Sequence, residues 1–415
     1  MSFEIVEKSQ VLREIIVTVP GDVVRRAESK IIETTRKTLR MDGFRKGKVP
    51  ASLIRQRAGE SITEDARREC LQEAMREALD TIDNLIHVGE AEVVTPKTDD
   101  GGFVAKVEAE TTPKLEVKDY KGLEISEPDV VITDEMVDAE LEKMREKLAV
   151  IEPVEDRKNV EDGDVLMVTL SDPNEAASKF CNAGDRQITV GKGYFNEAME
   201  KALVGAEIGN PVELKANVND EEAVVTVKVN EIKKRVLPAL DDAFALDTGE
   251  AENLAELREK TKKEVSDEKE KERKDNIERK LLTKLRESNP IDMPEGYVKA
   301  RAVQAMRLQI EQMLRQQIGD DMLDRIAQNI RPEELEEYRV DYHNEIILNA
   351  IAEAEKIEVS DDDVLAEAKN WFKGMADDKI KAWLNSNNAN KFVGDQVKRD
   401  RALKLIADEA KIAKE

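Results

Sequence analysis

Residues 43–50, Gly43-Phe44-Arg45-Lys46-Gly47-Lys48-Val49-Pro50, lie between two segments with helical spacing and indicate how the N-terminal part of the chain folds. Before them, residues 11–19 are β-branched and apolar, and residues 23–39 take up the spacing of an amphipathic helix. Helical spacing resumes over residues 51–79, and shorter strand-like segments follow it. We therefore predict an α+β domain over residues 1–111, in which the quoted segment connects two helices.

The quoted segment is strongly basic, although the chain as a whole is acidic. Residues 36–57 contain eight basic side chains and one acidic side chain, whereas the full sequence carries a net charge of −24. Gly43 and Gly47 bracket residues 44–46, and a turn of this kind would expose one aromatic ring and two cations that suit phosphate groups. The charge pattern alone leaves two interpretations open, a docking tip and an ordinary solvated turn.

Length and composition favour several domains and argue against an enzyme with a large catalytic cavity. A chain of 415 residues predicts two to four domains, and its 38% charged and 4% aromatic residues favour long solvated helices. The two cysteines, Cys70 and Cys181, have no metal-binding spacing, and we find no nucleotide-binding motif, so we expect no cofactor. The sequence has neither a leader-like start nor a long apolar run, which predicts a cytoplasmic protein with no membrane partner.

Beyond the first domain, the pattern changes twice. Residues 112–150 predict an extended linker followed by a helix, and residues 151–236 contain short strand-like segments typical of a small, mostly β domain. Residues 237–415 are helical almost to the C-terminus, which predicts an all-α domain with helical arms. The charged segment 256–286 also suggests a coiled scaffold protein, but prolines follow it closely. The predicted fold class is therefore multidomain α+β.

The segment at residues 43–50 resembles the ribosome-docking signature of the trigger factor family, and the linker, β insertion and helical region follow in the family's order. The resemblance covers the whole chain. It implies an ATP-independent chaperone that docks at the ribosomal exit tunnel, shields nascent or unfolded polypeptides and tends to form a homodimer when free. The residues implied in contact with protein and RNA of the large ribosomal subunit are Phe44, Arg45 and Lys46, with Gly43, Gly47 and Lys48 shaping the loop.

The β insertion resembles the prolyl isomerase domain of the FKBP type that the family carries at this place. Glycines of that framework recur in residues 190–195 and 202–209. Prolyl isomerisation needs an apolar, aromatic pocket around a twisted amide rather than an acid, a base or a metal. The resemblance therefore implies an isomerase fold, and the side chains of the pocket decide whether activity is kept.

Those side chains depart from the family's pattern. Asn196-Glu197-Ala198-Met199 stands where the family has Ile-Pro-Gly-Phe, and Leu170-Ser171-Asp172 stands where it has Phe-Thr-Gly. We expect Asn196 and Glu197 to place costly polar groups in the pocket wall, and we predict weak or absent isomerase activity. The alternative is an active peptidyl-prolyl isomerase with a modified pocket. Residues for such a pocket are Leu170, Tyr194, Phe195 and Met199, and the remaining aromatic residue of the domain is Phe180.

The helical region contains an apolar stripe with several methionines. Met306, Met313 and Met322 recur with leucines and isoleucines at helical spacing. Because methionine adapts to many shapes, these residues are candidates for binding unfolded clients. Ordinary packing between helices is the alternative, and it is the one we favour for each residue taken singly.

Overall fold

The computed structural model describes residues 1–42, 44–171, 173–179, 181–218, 221–314, 319–386 and 388–413. The strands in chain order are β1 (Ser2–Glu7), β2 (Leu12–Val19), β3 (Leu85–Val88), β4 (Glu92–Thr95), β5 (Phe103–Thr111), β6 (Glu124–Ser126), β7 (Val150–Pro153), β8 (Val165–Ser171), β9 (Gly184–Thr189), β10 (Pro211–Val218), β11 (Glu221–Val236) and β12 (Lys411–Ala413).

The helices in chain order are α1 (Gly21–Thr38), α2 (Ala51–Leu79), α3 (Asp134–Lys147), α4 (Glu175–Ser178), α5 (Glu197–Leu203), α6 (Asp242–Thr248), α7 (Leu254–Ser288), α8 (Glu295–Leu314), α9 (Asp320–Ala327), α10 (Pro332–Ala354), α11 (Asp361–Trp371), α12 (Asp377–Leu384) and α13 (Ala389–Glu409). Backbone contacts divide the chain into two compact units, residues 1–127 with 276–415 and residues 128–275. The predicted multidomain α+β class is confirmed.

The first unit begins with an antiparallel sheet covered by two helices. The strand order is β1-β2-β5-β3, and β4 also pairs with β5. Alternate residues of β2 and β5, such as Ile15, Val17 and Ala105, are fully buried against apolar residues of α1 and α2. The predicted strand, helix, loop and helix are all present, and the sheet gains an N-terminal strand that the sequence did not suggest. That strand, β1, lies at the edge of the sheet and alternates charged with half-buried residues.

Asp100 fastens the start of α1 to the sheet. Its carboxylate accepts hydrogen bonds from the Gly21 amide at 2.7 Å and the Gly102 amide at 3.1 Å. A Cβ atom on Gly102 would lie 2.1 Å from the Val19 carbonyl oxygen, so only glycine allows this close approach. A hydrogen bond from the Thr98 hydroxyl, together with those two amides, lowers the pKa of Asp100 to about 2. The carboxylate is therefore ionised at neutral pH, where it caps the helix.

The helices of the first unit pack around the second half of α7. Leu281 and Leu285 of α7, Ile351 of α10 and Ile406 of α13 are fully buried in one apolar cluster. Ile125 of β6 joins the same cluster, and β6 pairs in parallel with β12. The prediction that the chain stays helical almost to its end is confirmed up to α13, after which the last described residues form β12 because β6 offers them backbone partners.

A buried carboxylate connects the sheet of the first unit to its helices. Glu110 of β5 is buried and accepts hydrogen bonds from the Gly296 amide at 2.9 Å and the Tyr297 amide at 2.6 Å. These amides belong to the first turn of α8, whose N–H groups lack partners within the helix. Glu110 therefore acts as a helix cap across 186 residues of sequence.

The second unit contains the β insertion. Its antiparallel sheet has the strand order β10-β11-β8-β9, with β7 also paired to β11. The short helices α4 and α5 contribute Ala177, Met199 and Leu203 to a core made mainly of valine, leucine and isoleucine. A second small cluster joins α3, α6 and the start of α7 through Leu141, Phe244 and Leu257. Among the described residues, no helix is long and apolar enough to cross a membrane.

We predict that Leu281→Ala destabilises the first unit by about 2–5 kcal/mol, because it leaves a cavity where α7, α10 and α13 meet. Urea unfolding followed by the fluorescence of Trp371 and Trp383 reports on this unit. Leu308→Ala on α8 is the matched control, since Leu308 is exposed and its removal should cost less than about 0.5 kcal/mol. Equal losses in the two variants would contradict the assignment of the core.

Candidate functional site

The connection between α1 and α2 is a short loop built from two tight turns. The Phe44 amide donates a hydrogen bond to the Met41 carbonyl at 3.1 Å, and the Lys48 amide donates one to the Arg45 carbonyl at 2.9 Å. Gly47 adopts a φ of +81°, which non-glycine residues rarely take. Gly43 lies outside the described residues. These bonds hold residues 44–48 in a compact projection between the two helices.

The loop is anchored by an apolar cluster beneath it. Val49 is fully buried and packs with Ile32 of α1 and with Ile54 and Ile62 of α2. Above this cluster the Arg36 side chain donates a hydrogen bond from Nε to the Gly47 carbonyl at 3.2 Å. Val49 therefore anchors the loop to both helices, and the Arg36 side chain adds one hydrogen bond.

The aromatic ring and the cations of the loop point into solvent. Phe44 is 41% exposed, whereas Phe103 and Phe244 are almost completely buried in their cores. Arg45, Lys46 and Lys48 are also exposed. A partly exposed phenylalanine can contact a partner with the part of its ring that folding leaves uncovered. The structure thus brings together the predicted residues Phe44, Arg45 and Lys46 on one projection.

The positive charge of this loop is not neutralised by the rest of the described chain. Within the described ranges, Arg36 pairs with Glu33 at 3.1 Å, while Arg45, Lys46 and Lys48 have no carboxylate within ion-pair distance. Unpaired cations on a protein of net charge −24 create a local positive field. That field, with an exposed ring beside it, suits a partner rich in phosphate.

The residues considered for an isomerase pocket lie mostly in the core of the β insertion. Leu170, Phe195 and Met199 are buried in the main cluster of that unit. Tyr194 is partly exposed, and its ring contacts Phe195 edge-on with a centroid distance of 5.0 Å. Asp172 and Phe180 lie outside the described residues. Of the four candidates, only Tyr194 presents a substantial part of its side chain to a ligand.

The expectation that Asn196 and Glu197 place unpaired polar groups in a pocket wall is wrong. Asn196 is the N-cap of α5, and its side-chain oxygen accepts a hydrogen bond from the Met199 amide at 3.0 Å. Glu197 is exposed, and a hydrogen bond from Lys201 lowers its pKa. The nearby depression of about 470 Å³ is lined by Asn196, Glu197, Ala198, Lys201, Ala216 and Asn217. None of these lining residues is aromatic.

Four members of the apolar stripe, Leu308, Met313, Met322 and Ile326, are exposed, whereas Leu323 is buried and the side chains of Leu314 and Ile318 lie outside the described part of the chain. Met313 is 72% exposed and Met322 is 59% exposed, while Met306 is half-buried. Met322 and Ile326 share the outer face of α9, whereas Leu323 and Ala327 are buried on its inner face. The helices α8 and α9 contact one another, and Arg307 pairs with Asp324 at 2.7 Å.

One exposed aromatic cluster gave no signal in the sequence. Phe392 of α13 is exposed and lies 6.0 Å from the ring of Trp371, which in turn lies 6.4 Å from the ring of Trp383. Core residues of helices recur at the same helical spacing, so the spacing alone does not distinguish these residues from core residues. Only the packing of α11, α12 and α13 reveals that Phe392 faces outward.

Two family models match separate parts of this chain. A family model described as "Bacterial trigger factor protein (TF)" matches residues 1–144, and one described as "Bacterial trigger factor protein (TF) C-terminus" matches residues 253–408. Trigger factor of Bacillus pumilus is 31% identical over 90% of this chain and 92% of its own length. Trigger factor of Aquifex aeolicus is 28% identical over 98% of this chain and 86% of its own length.

A third relative and one solved structure also cover almost the whole chain. Trigger factor of Clostridioides difficile is 28% identical over the full length of both chains. A solved structure described as "Promiscuous Substrate Recognition in Folding and Assembly Activities of the Trigger Factor Chaperone" is 20% identical, with a TM-score of 0.46, and covers 99% of this chain and 100% of its own.

We predict that Gly47→Ala loosens the docking loop, because the positive φ of this residue strains any side chain by about 1–2 kcal/mol. Hydrogen exchange of the two hydrogen-bonded amides of the loop, those of Phe44 and Lys48, should become roughly five- to thirtyfold faster. Gly59→Ala in α2 is the control, since Gly59 has open space around its Cβ position and no positive φ. Unchanged exchange of the loop in Gly47→Ala would show that the two turns do not depend on this glycine.

Proposed function

This chain belongs to the trigger factor family, and on that premise we propose that it is an ATP-independent chaperone that docks at the ribosomal exit tunnel. The observation that carries the proposal is the exposed, cationic loop of Phe44, Arg45 and Lys46. Its partners are a protein of the large ribosomal subunit and RNA phosphates beside the tunnel. Gly47 and Lys48 shape the loop, and Gly43 is assigned the same role from the sequence.

We assign one role to each of the four regions that the sequence predicts. We assign docking to residues 1–111, a connecting role to residues 112–150, an FKBP-like insertion to residues 151–236 and client binding to residues 237–415. The chaperone works in the cytoplasm, where chains leave the ribosome. The family resemblance further favours a homodimer for the free protein.

Unfolded polypeptide binds the uncovered stripe of α8 and α9 in this proposal. Support comes from the exposure of Leu308, Met313, Met322 and Ile326, which present apolar surface without a covering element among the described residues. Unbranched methionine side chains adapt to clients of different shape. The high net negative charge of the whole chain favours solubility of the chaperone while its apolar surface is free.

The β insertion contributes little prolyl isomerisation in this proposal. Leu170, Phe195 and Met199 are used by the core, which leaves Tyr194 as the single exposed candidate for a wall around proline. A barrier of about 20 kcal/mol cannot be lowered much by a site without apolar walls. The insertion then serves as an additional surface for unfolded chains.

We predict that changing Phe44, Arg45 and Lys46 together to alanine abolishes most ribosome binding. The variant loses the exposed ring and two cations without touching the buried Val49 anchor. Cosedimentation with purified ribosomes measures the bound fraction, and the apparent affinity should fall by at least roughly tenfold, as expected when about 1.4 kcal/mol or more of binding energy is lost.

The control for that experiment removes the same chemistry elsewhere. Lys391→Ala, Phe392→Ala and Lys398→Ala together remove one exposed ring and two cations from α13. This variant should sediment with ribosomes as the unchanged protein does. Equal binding by the loop variant and the unchanged protein would remove the docking assignment.

We predict that the β insertion is a poor isomerase. The full chain and an excised fragment of residues 151–236 should accelerate a refolding reaction limited by proline isomerisation by far less than an active FKBP-type domain does. A variant with Tyr194→Ala should show the same low rate, because no pocket depends on that ring. Catalysis at the level of an active domain, lost in Tyr194→Ala, would instead establish the alternative function as a peptidyl-prolyl isomerase.

A further inference from the structure

The sulfur atoms of this protein fall into a shielded group and an exposed group. Cys70 and Cys181 are both buried free thiols. Burial raises the pKa of both thiols, so little of the reactive thiolate is present at neutral pH. Met199 is fully buried as well, whereas Met313 and Met322 are the most exposed methionines of the described residues. An oxidant that meets the folded protein therefore reaches these two thioethers before the thiols.

The two exposed methionines also lie on one functional surface. Met313 is near the C-terminal end of α8 and Met322 is in α9, where Leu308 and Ile326 add further exposed apolar side chains. This is the surface to which client binding is assigned above. A chemical change at these two sulfur atoms therefore alters the polarity of the client surface and leaves the docking loop untouched.

We propose that Met313 and Met322 form a reversible oxidation site through which peroxide weakens client binding. The inference rests on the proposed client-binding role of α8 and α9. It assigns that surface a second property, sensitivity to the redox state of the surroundings.

The reaction transfers one oxygen atom from hydrogen peroxide to each thioether. The sulfur lone pair attacks one peroxide oxygen, the O–O bond breaks, and proton transfer to the departing oxygen yields water. The sulfur is oxidised by two electrons to the sulfoxide, and the peroxide is reduced. Reduction of the sulfoxide by methionine sulfoxide reductases, with a dithiol as the electron source, regenerates the thioether.

The sulfoxide weakens binding for a physical reason. A thioether is apolar and flexible, so it can be buried against many client side chains. A sulfoxide is a polar, strong hydrogen-bond acceptor, and burial against an apolar client leaves it without a partner. Because both methionines are largely exposed in the free protein, oxidation does not disturb the core. The free chaperone should therefore stay folded while its affinity for clients falls.

The test uses the full chain and a client that stays unfolded, reduced and carboxymethylated α-lactalbumin carrying a fluorescent label. The chain is treated with hydrogen peroxide, which catalase and desalting remove before the client is added. Peptide mass spectrometry should find one added oxygen at Met313 and at Met322 and none at Met199. The dissociation constant for the client should rise by at least roughly fivefold, and treatment with both stereospecific reductases should restore it.

Substitutions identify which sulfur atoms matter. Met313→Leu with Met322→Leu keeps the apolar character of the surface but removes both sulfur atoms, so the client dissociation constant of this double variant, whatever its starting value, should not change on peroxide treatment. Met136→Leu, on α3, removes a different exposed methionine and should remain as sensitive as the unchanged chain. Sensitivity that persists in the double variant, or that disappears in Met136→Leu, would overturn the proposal.

A further double variant separates this inference from the client-binding role on which it rests. Met313→Gln with Met322→Gln imitates the polarity of the sulfoxide without any oxidant. Normal client binding by this variant would overturn the client-binding role of α8 and α9, and the redox proposal with it. Weak binding by this variant, together with full binding by the peroxide-treated chain oxidised at both methionines, would overturn the redox proposal alone.

Discussion

The burial of Val49 is the constraint on which the docking site depends. Val49 packs with Ile32, Ile54 and Ile62 and so draws the two helices together directly below the loop. Only a short segment remains between this anchor and the end of α1, and residues 44–48 must pass outside the cluster. The buried Val49 fixes one end of the loop, and Phe44 and the cations beside it are exposed. The packing of Val49 thus holds the positively charged loop at this place on the surface of an acidic protein.

The basic loop and the uncovered apolar side chains belong to different helices of the first unit, the loop to α1 and α2 and the apolar side chains to α8 and α9. The chain carries a net charge of −24 although residues 36–57 are strongly basic, so the remainder is even more acidic than the total suggests. Residues 295–327 carry five acidic and five basic side chains, so the uncovered side chains of α8 and α9 belong to a locally neutral stretch of an acidic chain. Within the first unit, Glu110 connects the sheet beneath α1 and α2 to the first turn of α8. Docking surface and client surface are thereby parts of one connected unit.

The elements that can be predicted from the sequence are those whose signals lie within neighbouring residues of the chain. The apolar spacing of residues 51–79 predicts a helix, and α2 has these bounds after Pro50 at its N-cap, although its backbone departs from helical geometry at Ala58. By contrast, β12 forms only because distant β6 pairs with it, and Glu110 caps a helix far along the chain. The N-cap role of Asn196 has a local signal, because an asparagine directly before a helix is a common N-cap. The prediction that Asn196 lies in a pocket wall overlooked this signal. The exposure of Met313 and Met322 was unpredictable because periodicity identifies an apolar face but not whether another element covers it.

The salt dependence of ribosome binding tests the central claim most directly. Cations that contact phosphates release counterions, so the logarithm of the binding constant should fall linearly with the logarithm of the salt concentration. Two cations, Arg45 and Lys46, predict a slope between about −1.4 and −1.8 for the intact chain if both contact RNA phosphates, and a shallower slope if ribosomal protein takes part. A binding constant that does not change with salt would contradict an electrostatic role for the loop, and with it the account of how this chaperone reaches emerging chains.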